Sequence, residues 1–196
     1  FLIGLFVAAL IGQTLLAAGG EGTRSIYLLT SAAQGLLAFC LPAWLAAKYA
    51  GMAPAPYLRL DGRLTLKAVA GIVVAYMLAM PALNQIIAYN AAMHLPESMQ
   101  GFEETLRSME DANGKMGEMI LNTTSVGGLV SGVLIVGVLT GFCEEIFFRG
   151  AMQHFIKSAG AKPWLAVVVT AVIFSVMHFQ FFGFVPRLLL GAFFGF

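Results

Sequence analysis

The stretch VGGLVSGVLIVGVLTGFC (residues 126–143) contains no charged side chain over 18 residues. A helix that crosses the hydrocarbon core of a bilayer needs about 20 mostly apolar residues. The apolar sequence continues to Phe148 and is interrupted only by Glu144 and Glu145. This stretch therefore predicts a transmembrane helix, which we expect to continue toward Lys157.

The composition of the whole chain agrees with a membrane protein. Of its 196 residues, 59% are hydrophobic and only 11% are charged, and the mean hydropathy is +0.85. Soluble domains carry about 25% charged residues, so most of this surface must face lipid. The net charge of +1 and the lack of a basic cluster give no sign of a nucleic-acid partner. Cys40 and Cys143 lie in separate apolar runs and do not predict a disulfide framework.

Six apolar runs are long enough to be candidate spans, and the third contains Pro81, which predicts a kink. We therefore predict an all-α, polytopic transmembrane helical bundle with about six spans. It should form a single membrane domain over residues 1–196, with its C-terminal part missing. The predicted spans are residues 1–18, 26–47, 64–92, 126 to about 148, 164–182, and a sixth that begins near 184.

The loops between these runs alternate in charge. The second loop and the fourth loop are basic, whereas the third loop, residues 93–125, is acidic. Positively charged loops stay in the cytoplasm, so the N-terminus is predicted to be cytoplasmic and the acidic loop external. Residues 97–119 should form a surface helix. In it, Glu103, Glu104 and Arg107 are interpreted as a solvated face with local ion pairs rather than as a catalytic site.

Four ionisable residues remain at membrane depth, namely Glu144, Glu145, Arg149 and His178. A charge at the bilayer centre costs about 2.5–3.5 kcal/mol on insertion scales, so such residues are usually functional or paired. Glu145 and Arg149 are four residues apart on one helical face and should form an ion pair. Glu144 shares its face with Phe148, an apolar setting that favours proton transfer near neutral pH.

The segment between the fourth and fifth spans predicts a turn of a helical hairpin. Gly160 is a helix stop and Pro163 a helix start. Glu144 lies 17 residues before Ala161 and His178 lies 17 residues after it, which places the two at the same depth. Several glycines of the fourth span should allow a neighbouring helix to approach closely. They are Gly127, Gly128, Gly132, Gly137 and Gly141.

A glutamate and a histidine that face one buried water form a hydrolytic pair. The glutamate takes a proton from the water, and the histidine orients the water or stabilises the developing charge. Glu144 and His178 could instead be two ligands of a divalent metal such as zinc, although the His-Glu-x-x-His signature is absent. Ser175, three residues before His178, is expected to bond the backbone rather than act as a nucleophile.

Two motifs resemble a known family. Glu144-Glu145-Ile-Phe-Phe-Arg149 is a Glu-Glu-x-x-x-Arg motif, and Phe174-Ser-Val-Met-His178 is a Phe-x-x-x-His motif. In this order, within apolar runs, they resemble the type II CAAX prenyl endopeptidase family, whose prokaryotic branch is the CPBP (Abi) group. The resemblance covers residues 126–196.

The resemblance implies an intramembrane endopeptidase of the bacterial inner membrane that cuts a membrane-embedded or membrane-associated peptide. Glu144 would activate the water, His178 would assist, and Glu145 and Arg149 would shape the site. The family has a further motif, a histidine followed four residues later by asparagine or a similar residue, which is absent from residues 1–196 and is expected beyond them. The alternative is a non-enzymatic immunity protein or a proton-coupled transporter that uses the Glu/His pair as a relay.

Overall fold

The computed structural model describes residues 1–19, 24–63 and 65–196, so residue 64, where the third span was predicted to begin, lies outside the described residues. Within these ranges the chain forms helices and no strand. The helices are α1 (Leu2–Gly19), α2 (Arg24–Tyr49), α3 (Pro54–Tyr57), α4 (Leu66–Ala91), α5 (Gln100–Leu121), α6 (Val126–Ser158), α7 (Pro163–Val176) and α8 (Phe184–Gly195). Short 3-10 turns at Glu97–Met99 and Phe181–Gly183 precede α5 and α8.

The apolar helices lie where the sequence predicts spans. Helices α2, α4 and α6, with 26, 26 and 33 residues, are long and apolar enough to cross a membrane. Three shorter apolar helices coincide with the other predicted spans. Helix α4 runs through Pro81 without interruption. The prediction of an all-α helical bundle of the membrane type is confirmed.

The fifth span is shorter than predicted. Helix α7 ends at Val176, and residues 177–179 form a turn instead of continuing the helix to residue 182. Phe179 has a φ of 51°, a left-handed conformation that stops a helix. Its apolar side chain gives no sign of this stop in the sequence. His178 therefore lies in the turn after the helix, not within it.

Helix α6 is long and departs from regular α geometry twice. Residues Val133–Thr140 and Ile146–Met152 are π-helical, a geometry that recurs at functional sites. The helix begins after Ser125, whose hydroxyl accepts a hydrogen bond from the Gly128 amide at 3.0 Å. Ser125 therefore provides the capping oxygen at the start of α6.

The predicted turn between α6 and α7 has the expected ends. Helix α6 stops at Ser158, Gly160 has a φ of 95°, and α7 begins at Pro163. Only glycine adopts such a backbone conformation without steric cost. The helix stop and the helix start read from the sequence are therefore confirmed.

The chain divides into two compact units. The first unit comprises Phe1–Leu60 and Ala112–Ala159, and the second comprises Asp61–Asp111 and Gly160–Phe196. The predicted single domain over residues 1–196, with its catalytic core at 126–196, stays a prediction. That predicted core contributes residues to both units.

In the first unit α2 packs against α6 through Gly35. A Cβ built there would lie 3.5 Å from Thr140 Cα and 3.6 Å from the Cys143 sulfur. The predicted close approach at the α6 glycines holds for Gly132, beside Arg24 and Ile120, but not for Gly127 or Gly141, which have no such neighbour within 4 Å. The glycine that permits the α2–α6 contact lies on the opposite helix. Sequence alone does not show which of two apolar helices supplies it.

In the second unit α8 packs against α7 and α4. The α4–α5 corner is fixed by Arg107, whose guanidinium donates to the carbonyls of Ala91 at 3.3 Å and Met93 at 2.8 Å. These carbonyls belong to the end of α4, where a helix leaves acceptors without partners in its own backbone. The N-terminal half of α5 is thereby attached to the end of α4.

Candidate active site

Glu145 and Arg149 form the ion pair that the sequence predicts. Arg149 Nη1 lies 3.0 Å from Glu145 Oε1, with the two residues four positions apart on α6. The side chain of Arg149 is 13% exposed, whereas that of Glu145 is 48% exposed. The Arg149 guanidinium is thus largely enclosed by the protein, whereas the Glu145 carboxylate is partly exposed at the protein surface. This pair lowers the cost of placing either charge at membrane depth.

Glu144 occupies a different environment on the same helix. It is half-buried and lies between the two π-helical segments, next to the fully buried Cys143. Phe148, on the same helical face, is also buried and lies 5.8 Å, ring to ring, from Phe39 of α2. The assignment of Glu144 as the base stays a prediction.

His178 is held by the last turn of α7. Its Nδ1 lies 2.8 Å from the carbonyl oxygen of Phe174, and the two rings pack edge to face at 4.7 Å. A carbonyl oxygen only accepts, so Nδ1 carries the proton of the neutral imidazole and Nε2 has the lone pair. The Phe-x-x-x-His spacing therefore has a structural meaning. It places the carbonyl of the phenylalanine under the histidine ring and fixes its tautomer.

The backbone after His178 is tied back to α7 by Ser175. The Ser175 hydroxyl is buried and donates to the carbonyl of Phe184 at 2.7 Å. Ser175 thus bonds the backbone, as predicted, although the acceptor belongs to α8 and not to its own helix. The hydrogen bond closes the turn that contains His178.

Arg187 is an ionisable residue that the sequence reasoning missed. It lies on α8, donates a short hydrogen bond to the side-chain oxygen of Gln180, and is close enough for its charge to act on His178. The available signal was a lone cation inside the apolar run that begins at residue 184. Because cations within membrane spans are rare and usually functional, this position in the sequence alone makes Arg187 a candidate site residue.

An apolar groove of about 520 Å³ adjoins the His178 turn within the second unit. One wall is formed by α5 and the other by the end of α7 and the segment that follows it. A volume of this size is within the range of ligand pockets. The lining includes Phe102, Leu106, Met109, Val176, Phe179 and Phe184.

The acidic surface helix is less solvated than predicted. Glu103 is only 7% exposed and accepts hydrogen bonds from the Leu95 amide at 2.7 Å and from Arg107 at 2.9 Å. Its carboxylate also lies 2.9 Å from His94 Nδ1. The Leu95 amide first and Arg107 second lower the pKa of Glu103 to about 2. The predicted local ion pair is confirmed. The prediction that Glu103 is solvated is wrong, because the α4–α5 corner covers its side chain.

The predicted site residues are distributed over the two units. Glu144, Glu145 and Arg149 belong to the first unit, and His178 belongs to the second. The structure brings Glu145 to Arg149, and the pairing of Glu144 with His178 stays a prediction. Within the described ranges no group of three or more His, Cys, Asp or Glu side chains could hold a metal ion. Catalytic zinc takes about three protein ligands, so the donor set of the described residues does not fit a zinc ion.

The last part of the chain is similar to a known protein family. Residues 126–196 match the family model described as type II CAAX prenyl endopeptidase Rce1-like. The match covers 71 of the 196 residues and includes both motifs, with Glu144, Glu145, Arg149 and His178 inside it. Searches of the curated proteins and of the solved structures found no significant match. The resemblance inferred from the two motifs is confirmed over this segment.

Proposed function

We propose that the protein is an intramembrane endopeptidase that hydrolyses a peptide bond with a water activated by Glu144 and His178. The observation that carries this proposal is the match of residues 126–196 to the type II CAAX prenyl endopeptidase model, which includes both motifs. The family similarity supports protease activity in general and does not by itself assign the reacting residues. The identity of the reacting groups rests on their chemistry.

Glu144 is the proposed general base. Its carboxylate takes one proton from the water as the oxygen attacks the carbonyl carbon of the scissile bond, which gives a tetrahedral intermediate. The same proton is then delivered to the leaving nitrogen while the carbon–nitrogen bond breaks, so the carboxylate is regenerated. The half-buried position of Glu144 on α6 supports this role, because a carboxylate partly removed from bulk water is suited to act as the base for a single bound water.

His178 is proposed to orient the water through Nε2. The hydrogen bond from Nδ1 to the Phe174 carbonyl supports this role, because it fixes both the tautomer and the ring orientation. Glu145 and Arg149 are proposed to shape the site rather than to react, since each neutralises the other. A stabiliser of the tetrahedral oxyanion is expected from the family's further His-x-x-x-Asn motif.

The proposed substrate is a peptide embedded in or associated with the lipid bilayer. The apolar composition of the chain and the apolar groove beside the His178 turn support a substrate that arrives from the membrane. We propose the bacterial inner membrane as the location, with a cytoplasmic N-terminus, from the alternation of basic and acidic loops.

The test is cleavage of membrane peptides by the purified protein in detergent, with products read by mass spectrometry. Prenylated and unprenylated peptides are compared. We expect Glu144→Gln and His178→Ala to lower the rate by about 10²–10⁴-fold, the usual contribution of general acid–base catalysis. Glu104→Gln is the matched control, since Glu104 is exposed on α5. Cleavage that persists unchanged in Glu144→Gln would refute the assignment. Proton flux through the protein in lipid vesicles, without cleavage in detergent, would favour a relay.

A further inference from the structure

The segment that carries His178 has little regular structure of its own. After α7 the backbone turns at residues 177–179, passes through Gln180 in an extended conformation, and enters the 3-10 turn Phe181–Gly183 before α8. A left-handed phenylalanine at position 179 is unfavourable by itself. Such a conformation persists where surrounding contacts determine it.

The surrounding contacts come from outside α7 and α8. Glu110 of α5 accepts a hydrogen bond from the Phe182 amide at 2.8 Å. Asn90, near the end of α4 and only 4% exposed, accepts from the Val185 amide at 2.8 Å through Oδ1. Val185 lies in the first turn of α8, where a helix offers amide donors that lack intrahelical partners, and Phe182 lies in the 3-10 turn just before it.

A third contact involves the ring of Phe182. The guanidinium of Arg107 lies 3.9 Å from the centre of that ring, which is itself buried. Arg107 is in turn paired with Glu103 and bonded to the carbonyls at the end of α4. The α4–α5 corner is therefore a fixed support, and Glu110 and Arg107 project from it onto one residue of the His178 segment.

We propose that Glu110 and Asn90 are positioning residues for His178. They hold the backbone of residues 181–185, and the Ser175–Phe184 hydrogen bond closes the same segment onto α7. The acidic helix α5 thereby acquires a role in the site through contacts within the second unit. This inference rests on the proposed function of His178 in catalysis, although its structural part does not.

The main test removes the Glu110 acceptor and restores it. Glu110→Ala deletes the hydrogen bond to Phe182, whereas Glu110→Gln retains a side-chain oxygen that can accept it and lacks only the charge. Glu104→Ala, on the exposed face of the same helix, is the matched control. A misplacement of about 1 Å can cost on the order of 100-fold in rate. We therefore expect Glu110→Ala to lower kcat by roughly 10- to 100-fold, and Glu110→Gln to recover most of the loss.

A second readout does not depend on activity. In protein labelled with ¹⁵N in histidine, the side-chain signals of His178 report its tautomer and its hydrogen bond to Phe174. The three histidines are distinguished with the variant His178→Gln. We expect these signals to change in Glu110→Ala and to be retained in Glu110→Gln and Glu104→Ala. If Glu110→Ala does not fold, Glu110→Asp, which withdraws the carboxylate by one methylene, replaces it.

The outcomes separate the two proposals. Unchanged His178 signals in a folded Glu110→Ala protein would overturn the positioning role. Altered His178 signals without any peptide cleavage by the wild type would support positioning and count against the protease. A double variant with His178→Ala tests the route of the effect. In the His178→Ala background, Glu110→Ala should cause no further decrease in kcat. A full additional decrease would show that Glu110 does not act through His178.

Discussion

Ser175→Ala tests how strongly the turn after α7 is fixed. The hydroxyl is 1% exposed and donates at 2.7 Å to the Phe184 carbonyl. Alanine leaves the helix intact but removes the donor. A buried hydrogen bond contributes about 0.5–1.5 kcal/mol net, and an acceptor left without a partner costs about 1–3 kcal/mol. Since Phe184 is half-buried, we expect a loss of about 1–2 kcal/mol in the free energy of unfolding.

That loss corresponds to a measurable shift in melting temperature. For a chain of 150–250 residues, 1 kcal/mol shifts Tm by about 2–4 °C, so Ser175→Ala should melt roughly 2–8 °C below the wild type. The assay is thermal unfolding in detergent, followed by tryptophan fluorescence. Ser158→Ala is the matched control, because its exposed hydroxyl donates to the His154 carbonyl of its own helix at 3.0 Å. Equal melting temperatures for the two variants would refute the reasoning.

Two further predictions concern the two units separately. Because the folded-state pKa of Glu103 is depressed to about 2, its stabilising contribution should be present above its ordinary pKa of 4.5 and lost as the pH falls toward 2. The Tm difference between wild type and Glu103→Gln should therefore close over that range, and a difference that stays constant would contradict the lowered pKa. In the first unit, a Cβ at Gly4 would overlap the Leu37 carbonyl oxygen and lie 2.7 Å from Ala38 Cα, so Gly4→Ala should destabilise the protein by about 1–3 kcal/mol. Gly71→Ala in α4, where a Cβ meets nothing within 4 Å, should be neutral or stabilise by up to about 1 kcal/mol; an equal effect of the two changes on Tm would refute the close contact at Gly4.

The parts of the structure that the sequence predicts are those set by local chemistry. The length of the apolar runs predicts the helices α2, α4 and α6. Gly160, which adopts a left-handed conformation, and Pro163 predict the turn between α6 and α7. The Glu145–Arg149 pair follows from helical spacing alone. Each of these needs only neighbours within a few residues.

The parts that the sequence does not predict depend on distant residues. The end of α7 at Val176 has no local signal, because the Phe179 conformation is supported by the hydrogen bond from Ser175 to Phe184 and by α4 and α5. The burial of Glu103 likewise follows from the Leu95 amide beyond the end of α4. A periodicity or a charge count contains no information about such contacts.

The same distinction clarifies the role of the second motif. A phenylalanine four residues before a histidine is unremarkable in an apolar helix, yet here the two meet at the point where that helix ends. Within the helix, the Phe174 carbonyl would bond the amide of residue 178, whereas the His178 amide instead bonds Ser175. The carbonyl is thereby released to the imidazole ring. The motif therefore requires a helix end, and the hydrogen bonds of Glu110 with the Phe182 amide and of Asn90 with the Val185 amide support that end from outside the motif.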